Sequence, residues 1–350
     1  MNPARATIDD VAERSGVSRG TVSRVLAGSP RVLPATRERV LEAIKALDYR
    51  PSGIARSLRS RRTQTVGLIV TDITNPFYPE VVRGFEDAAQ EIGLGVFLGN
   101  AAEDPRRELR YLELMRERQV DAVVVAAGGL RDRLAAMLRE FPIPVVYLNA
   151  ASPDSRIPSV VSTDREGGRM AAQHLIDLGH RHLLYVCGPR EREGSSLRLE
   201  GIRDAVRAAG EPAVALATER GDGHLAGGTK VARAVASRHG LPYALICHND
   251  LTAIGAMHAL SELGIRIPLD VSVVGFDDIA LTDYTVPPLT TVAQAKYEMG
   301  SRAVRMVARI LAGETVSRTE ELPVRLVVRR STAPPRSTSG PVAASAPRAT

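Results

Sequence analysis

The sequence predicts two kinds of structure in one chain: a small all-α region followed by a larger α/β region with parallel sheets. Three short amphipathic segments follow one another over residues 7–49. From residue 64, apolar runs alternate with amphipathic helical stretches, which is the pattern of parallel strands connected by helices. This second region is about 260 residues long, a length that favours two lobes over a single one.

The first three predicted helices have clear start and stop signals. Thr7 and Ser18 precede the first two segments as N-caps, and Gly16 and Gly28 follow them as C-terminal stops. The third segment, PATRERVLEAIKALDY, has its apolar residues at helical spacing. The predicted core of the three helices consists of the apolar residues on one face of each: Ile8, Val11, Ala12, Val22, Val25, Leu26, Val40, Ile44 and Leu47.

Only SGVS separates the first two helices, so the pattern is that of a helix-turn-helix motif. In this motif, the first residues of the second helix meet base edges in the major groove of DNA. Arg19 can bind guanine through two hydrogen bonds, and Gly20 lets the backbone come close without a side chain. The alternative is that Arg19 is solvated and that glycine is merely tolerated near a helix start.

The basic charge is confined to the beginning of the chain. Residues 1–62 contain 13 Lys and Arg against 6 Asp and Glu, whereas the remainder contains 33 against 34. A compact basic region on a neutral body predicts a polyanionic partner for that region alone. A basic disordered tail is the alternative, and the helical periodicity of the same residues argues against it.

Several classes of protein are not supported by the sequence. No run of about 18 apolar residues predicts a membrane span, and the start MNPARATIDD has no apolar signal region. We therefore expect a cytoplasmic, nucleoid-associated protein. Cys187 and Cys247 lie in strand-like runs, so buried thiols are expected rather than a disulfide. His180 and His182 have no accompanying ligand cluster, and we expect neither a metal nor a cofactor.

The apolar runs of the body predict a series of buried parallel strands: TVGLIV, GVFLG, DAVVVAA, PVVYLN, HLLYVCG, YALICHN and VSVVGFD. Helical stretches such as YPEVVRGFEDAAQEIG and REGGRMAAQHLIDLG lie between them. The last residues, STAPPRSTSGPVAASAPRAT, have little apolar bulk and are predicted to be disordered.

Polar side chains follow many of these strands, where ligands of open α/β sheets bind. Amides, a guanidinium and a carboxylate beside an aromatic ring suit a sugar or another polyol. We expect Arg198 and Asp277 to face each other, as ligand-binding groups or as a structural salt bridge, and Asp250 to be the N-cap of the following helix. The candidate ligand-binding residues at these strand ends include Asn75, Phe77, Asn149, Arg192, Arg198, Asn249, Asp277 and Gln294.

TIDDVAERSGVSRGTVSRVLAG and TRERVLEAIKALDYRPSGIARSLRS resemble the DNA-binding region of the LacI/GalR family of bacterial transcription regulators, and the similarity continues to about residue 331. The resemblance implies a helix-turn-helix domain and a two-lobed, periplasmic-binding-protein-like domain with parallel sheets. The implied divisions are a DNA-binding domain at 1–49, a hinge helix at 50–63, an effector-binding and dimerisation domain at 64–331 and a disordered tail at 332–350. Lobe one would comprise about 64–162 and 292–320, and lobe two 163–291 and 321–331.

The resemblance also implies roles for individual residues in DNA binding. Leu58 matches a leucine that wedges into the central base step of the operator, and Ala55 matches its neighbour; such a wedge bends the duplex. The implied DNA-binding residues of the helical domain are Thr7, Ser18, Arg19, Gly20, Thr21, Ser23 and Arg24. A homodimeric repressor, a pseudo-palindromic operator and a small carbohydrate-like effector in the cleft are the expected function and partners.

Two departures from the family pattern leave alternatives open. Many relatives carry an aromatic residue at the position of Gly223, with His224 as a possible substitute, and Asn149 replaces a carboxylate found in some relatives. A phosphorylated metabolite bound by Arg192 and Arg198, or a protein partner, could then replace a simple sugar. A remoter alternative is an NAD-dependent enzyme, since GDGHLA fits G-x-G-x-x-A, but the required acidic residue about 20 positions later is absent.

Overall fold

The computed structural model describes residues 6–26, 28–49, 62–126, 141–152, 154, 156–189, 193–238 and 244–336. These residues form two compact units that divide between Gln64 and Thr65. The predicted hinge residues Ala55 and Leu58, and the predicted effector residue Arg192, lie outside the described residues.

The described residues of the first unit form three helices: α1 (Ile8–Ser15), α2 (Arg19–Leu26) and α3 (Pro34–Ala46). Their core is formed by Val11, Ala12, Val22, Val25, Val40 and Ala43. Ile8, Ile44 and Leu47 are only partly buried against it. The prediction for Leu26 was wrong: its side chain is 37% exposed, and Ala43 takes a core position instead. Leu26 is the last residue of α2, and its side chain lies at the surface of the unit.

The ends of α1 and α2 form as the sequence predicts. The hydroxyl of Thr7 accepts a hydrogen bond from the Asp10 amide, and the Asp10 carboxylate accepts one from the Thr7 amide. This reciprocal pair is a capping box. Gly16 and Gly28 both have a positive φ, 66° and 69°, which glycine adopts at helix ends without a side-chain clash.

The second unit contains two six-stranded sheets. Sheet one has the order β11-β5-β4-β3-β1-β2 and is parallel throughout. Sheet two has the order β12-β10-β9-β8-β6-β7 and is parallel except for β12. The strands are β1 (Thr65–Val70), β2 (Gly95–Asn100), β3 (Ala122–Ala126), β4 (Val145–Leu148), β5 (Ser159–Ser162), β6 (His182–Cys187), β7 (Ala215–Arg220), β8 (Ala244–Cys247), β9 (Ser272–Asp277), β10 (Thr290–Ala293), β11 (Thr319–Leu322) and β12 (Arg325–Val327).

Helices cover both sheets. They are α4 (Phe77–Glu91), α5 (Pro105–Glu117), α6 (Asp164–Asp177), α7 (Glu193–Ala208), α8 (Leu225–Arg238), α9 (Asp250–Glu262) and α10 (Lys296–Leu311). The helix pairs α4–α10 and α6–α7 pack closely. In the second pair a glycine allows the contact: a Cβ atom at Gly168 would overlap the backbone carbonyl of Arg198.

Sheet one with its helices forms lobe one, and sheet two with its helices forms lobe two. The chain passes between the lobes after β5, after β10 and after β11. Two of the predicted lobe boundaries need correction, because those between residues 291 and 292 and between 320 and 321 fall inside β10 and β11. A strand stays in one sheet to its end, so the crossings follow Ala293 and Leu322.

The predicted disordered tail also needs correction at its start. Ser331 donates a hydrogen bond to the Val273 carbonyl at 2.6 Å, and Thr332 contacts the imidazole of His174 at 2.9 Å. The Ala333 carbonyl lies 3.0 Å from Nε2 of His180. The chain is therefore bound to lobe two through residue 333, and residues 337–350 lie outside the described part.

The two thiols are free and lie in different apolar clusters of lobe two. Within the described ranges, no helix is long and apolar enough to cross a membrane. The same residues contain no group of three or more side chains arranged to hold a metal ion.

Candidate functional site

The tip of α2 is exposed, and its glycine is not required by the packing of the first unit. A Cβ atom at Gly20 would meet only the Ser18 hydroxyl, at 3.7 Å. Arg19 is the first residue of α2 and forms an ion pair with Asp9, with 2.9 Å between Nε and Oδ1. Both side chains remain more than half exposed. The backbone at Gly20 is therefore open to an approach from outside.

The other predicted DNA-binding residues of this unit divide into capping and surface groups. The Ser18 hydroxyl accepts a hydrogen bond from the Thr21 amide at 3.2 Å, and the two hydroxyls are 3.0 Å apart. Thr7 is committed to the capping box at the start of α1. Ser23 and Arg24 lie on α2, with Arg24 exposed. The serine and threonine hydroxyls thus hold the motif in shape, while the arginines are presented on its surface.

A cleft lies between lobe one and lobe two. Lobe one contributes residues from the ends of β1, β2 and β4, and lobe two contributes residues from α6, α7 and the ends of β8 and β9. Of the predicted effector-binding residues, those that line the cleft are Asn75, Phe77, Asn149, Arg198, Asn249 and Asp277.

Arg198 is the buried cation of the cleft. Its side chain is 6% exposed, and its Nε donates to the Asp164 carboxylate at 2.7 Å. One terminal nitrogen donates to the His248 carbonyl, and the guanidinium lies 3.6 Å above the centre of the Phe276 ring. These contacts fix the guanidinium plane. Its ion-pair partner is therefore Asp164, although the sequence suggested Asp277.

Asp277 is the buried carboxylate at the end of β9. Burial raises its pKa to about 6, against the opposing effects of the Arg198 charge, the Gln294 amide and the Lys296 charge. Gln294 donates to Asp277 Oδ1 at 2.6 Å but does not itself line the cleft. In this structure Gln294 reaches the cleft through Asp277, and its direct contact with an effector stays a prediction.

The N-cap of α9 is not Asp250, as the sequence suggested, but Asn249, which also lines the cleft. Asn249 is the N-cap of α9: its Oδ1 accepts from the Thr252 amide at 2.9 Å, and its Nδ2 donates to the Gly223 carbonyl at 2.8 Å. Asp250 is fully buried, and accepts from the Ile279 amide at 2.9 Å. Burial raises the Asp250 pKa well above its ordinary value.

Lobe one contributes an aromatic wall to the cleft. Phe77 begins α4, and its amide donates to the Asn75 side chain at 3.0 Å. The rings of Phe77 and Tyr78 pack edge to face, with centres 5.1 Å apart. Asn149 follows β4 with a positive φ of 58°, and its buried Oδ1 has no hydrogen-bond partner among the residues that the structure describes. An acceptor of this kind is suited to a ligand hydroxyl.

The loop before α8 crosses toward lobe one. Gly223 has a φ of +85°, which side chains rarely adopt, so the position where relatives carry an aromatic residue is shaped for glycine here. The neighbouring His224 places Nε2 3.1 Å from the carboxylate of Glu103 in lobe one. His224 and Glu103 thus meet across the opening of the cleft.

Asp164 is the most important cleft residue that the sequence analysis missed. It is the first residue of α6, immediately after β5, and it holds Arg198. The run SVVS of β5 is too short and polar to predict a strand, so Asp164 was not predicted to lie near the end of one. Glu103, Glu193, Asp222 and His248 also line the cleft and were not predicted to bind an effector.

Comparisons with known proteins place these two units in a family. The family described as bacterial regulatory proteins, lacI family, matches residues 7–52, and a periplasmic binding protein-like domain matches residues 172–332. Catabolite control protein A of Priestia megaterium is 35% identical over 328 residues, which cover 93% of this chain and 99% of that protein. The chain belongs to the lacI family. It is accordingly a DNA-binding transcription regulator, and the predicted family and fold are confirmed.

Solved structures of the lacI family agree with this assignment. The Lac repressor dimer bound to operator and the anti-inducer ONPF is 27% identical, with a TM-score of 0.83 over 94% of this chain and 99% of that one. The transcriptional regulator CelR in complex with cellobiose is 34% identical, with a TM-score of 0.70 over 93% of this chain and 100% of that one. Both solved proteins are named as transcription regulators.

Proposed function

We propose that this lacI-family regulator is a dimeric repressor whose affinity for a pseudo-palindromic operator is controlled by an uncharged carbohydrate in the interlobe cleft. The observation that carries the proposal is the lining of that cleft: lobe two presents a fixed guanidinium, a buried carboxylate and the amide of Asn249, and lobe one presents an aromatic wall and the amides of Asn75 and Asn149. Both lobes line the cleft, so a molecule that binds one arrangement of the lobes more tightly than another would shift the protein toward that arrangement.

The cleft chemistry suits hydroxyl groups. A sugar hydroxyl both donates and accepts, so it needs acceptors such as Asp277 and Asn149 as well as donors. Phe77 supplies an apolar ring on which a sugar face can pack. The solved relative that contains cellobiose supports the same class of ligand for this chain.

The charge of the cleft favours a neutral ligand over a phosphorylated one. The carboxylates among its described lining residues are Glu103, Asp164, Glu193, Asp222 and Asp277. Arg198 is the one guanidinium among those residues, and it is already paired with Asp164. Among the described lining residues, a phosphate would therefore meet more negative than positive charge. This supports the simple sugar over the phosphorylated alternative.

Exposed apolar side chains support a dimer. In lobe one, Phe97 and Leu98 on the edge strand β2 are each nearly half exposed. In lobe two, Tyr284 is 83% and Val286 93% exposed in the segment between β9 and β10. A second copy of the chain that covered these side chains would remove their apolar surface from water. A second copy of this chain would also match the two half-sites of a pseudo-palindrome, as in the Lac repressor dimer bound to operator.

The experiment has two stages, both with the full chain. A thermal-shift panel of cellobiose, D-ribose and D-ribose 5-phosphate first tests the cleft, with Asp277→Asn as the variant. A duplex selected by the protein from random DNA then serves as operator. We expect a neutral sugar to stabilise the wild type and to change operator affinity, and Asp277→Asn to lose about 1–3 kcal/mol of sugar binding.

The contrary results are equally definite. Stabilisation by the phosphorylated sugar alone would favour a phosphorylated effector. Equal stabilisation of wild type and Asp277→Asn would show that the sugar binds elsewhere. A selected duplex without two-fold symmetry would contradict the proposed dimeric mode of DNA binding.

A further inference from the structure

The turn after β9 holds the cleft carboxylate in a constrained backbone conformation. Asp277 and Asp278 are consecutive residues with positive φ, 115° and 54°. Residues other than glycine are disfavoured in this region and persist there when surrounding groups hold them. The carbonyl oxygens of both residues accept hydrogen bonds from Nζ of Lys296, each at 2.8 Å.

The position of Lys296 allows it to bind these carbonyls but does not favour the stability of its own helix. It is the first residue of α10, where a cation opposes the positive end of the helix dipole. Its side chain is only 5% exposed, so the ammonium needs partners for its three N–H groups. The two carbonyls take two of them, and the half-exposed carboxylate of Glu80 lies 3.4 Å away.

These bonds span a crossing between the lobes. β10 belongs to lobe two, whereas α10 packs on α4 in lobe one so closely that a Cβ atom at Gly300 would overlap the Val81 carbonyl. Gln294 and Ala295 connect the two elements. The ammonium at the start of α10 therefore reaches back from lobe one to the backbone of Asp277 and Asp278 in lobe two.

We infer that Lys296 is a positioning residue that holds the Asp277 carboxylate in the cleft and couples the movement of its turn to lobe one. Lys296 does not line the cleft and acts through Asp277. The inference rests on the proposed function, because Lys296 is assigned to transmit the binding of a sugar at Asp277 to the arrangement of the two lobes.

The first test contains no sugar and measures amide hydrogen exchange over residues 277–283 in the full chain. Lys296→Met removes the ammonium but keeps an apolar side chain of similar length. We expect exchange in this segment to rise about tenfold, because two bonds that hold the turn are lost. Lys296→Arg should restore slow exchange, and Lys230→Met, at an exposed position on α8, should leave it unchanged. Wild-type exchange in Lys296→Met would overturn the inference.

The second test separates affinity from coupling, with cellobiose as the probe. Calorimetry gives the Kd of cellobiose, and fluorescence anisotropy gives the Kd of the selected operator with and without saturating cellobiose. In Lys296→Met we expect cellobiose to bind about tenfold more weakly and the ratio of the two operator Kd values to approach one. An unchanged ratio at saturation would overturn the coupling to lobe one.

Glu80→Gln is the matched control, because it removes only the half-exposed partner of the ammonium. Exposed ion pairs contribute little, so cellobiose affinity and the operator ratio should stay within about twofold of wild type. If Glu80→Gln reproduced the losses of Lys296→Met, the assignment to the two carbonyls would be wrong. If the wild type bound no sugar of the panel, the proposed function would fail, and the sugar-free exchange experiment would still decide whether Lys296 holds the turn.

Discussion

Asp277 is the residue at which burial and binding oppose each other. Burial raises its pKa from 3.8 to about 6, so the folded protein favours the protonated form more than the unfolded chain does. Its contribution to the free energy of unfolding is therefore full below pH 4 and declines as the pH rises through about 6. Ligand hydroxyls that donate to a carboxylate have the opposite preference and favour the ionised form.

Sugar affinity should consequently increase between pH 5 and pH 7, with a midpoint near pH 6. Calorimetric titration of the best sugar of the panel at several pH values would measure the effect. Asp277→Asn cannot ionise, so its weaker binding should depend much less on pH. An affinity of the wild type that stays constant over this range would mean that Asp277 does not accept a hydrogen bond from the sugar.

Arg198 makes several buried contacts within lobe two, so its removal should lower the stability of the protein as well as its affinity for a ligand. Arg198→Ala leaves Asp164 buried without its cation, and breaking such a pair costs about 3–5 kcal/mol of the free energy of unfolding. Chemical denaturation would measure the loss. Arg165→Ala breaks the exposed pair with Asp204 and should change stability little. Similar losses in both variants would contradict the importance of burial at Arg198.

At the scale of the element, α2 allows a direct test of why glycine lies at a helix tip. Gly20→Ala meets only the Ser18 hydroxyl at 3.7 Å, and alanine favours a helix over glycine by up to about 1 kcal/mol. The variant should therefore be as stable as wild type or slightly more stable, yet bind the selected operator more weakly. Thermal unfolding and anisotropy would show the two effects. Unchanged operator affinity would mean that Gly20 does not approach the DNA.

The sequence predicted the strands whose own residues are mostly apolar. β1, β3 and β9 are apolar over most of their length and were predicted. β11, with the sequence TEEL, and β12, with RLV, are short and polar or charged, and they become strands only because an existing sheet edge pairs with them. No local pattern can show such a pairing.

The same distinction explains the candidate site. Arg198, Asp277 and Asn249 lie in patterns that could be interpreted from the sequence, and all three line the cleft. Their hydrogen-bond partners could not be predicted, because Asp164 and Arg198 are brought together by the packing of α6 on α7. The sequence thus predicted most of the groups at the cleft surface, but not which of them are already committed to one another.

At the scale of the whole molecule, the exposed apolar residues of the two lobes predict the consequence of preventing assembly. Tyr284→Asp combined with Val286→Asp places two charges on a surface that would be buried in a dimer. We expect sedimentation equilibrium to show a monomer that retains sugar binding and has lost most of its operator affinity, because one half-site contributes less than two. A dimer of undiminished stability would place the interface elsewhere.

The contact of Gly168 with the Arg198 carbonyl has a consequence for genetics. Gly168 does not line the cleft, but a methyl group there would push α7, and with it the Arg198 guanidinium, away from α6. In a random mutant library screened with a reporter gene, Gly168→Ala should therefore appear among variants that repress normally but no longer respond to effector. Such a screen would identify a position that a search restricted to cleft residues would omit, because here the location of a binding group is specified by the absence of a side chain on another helix.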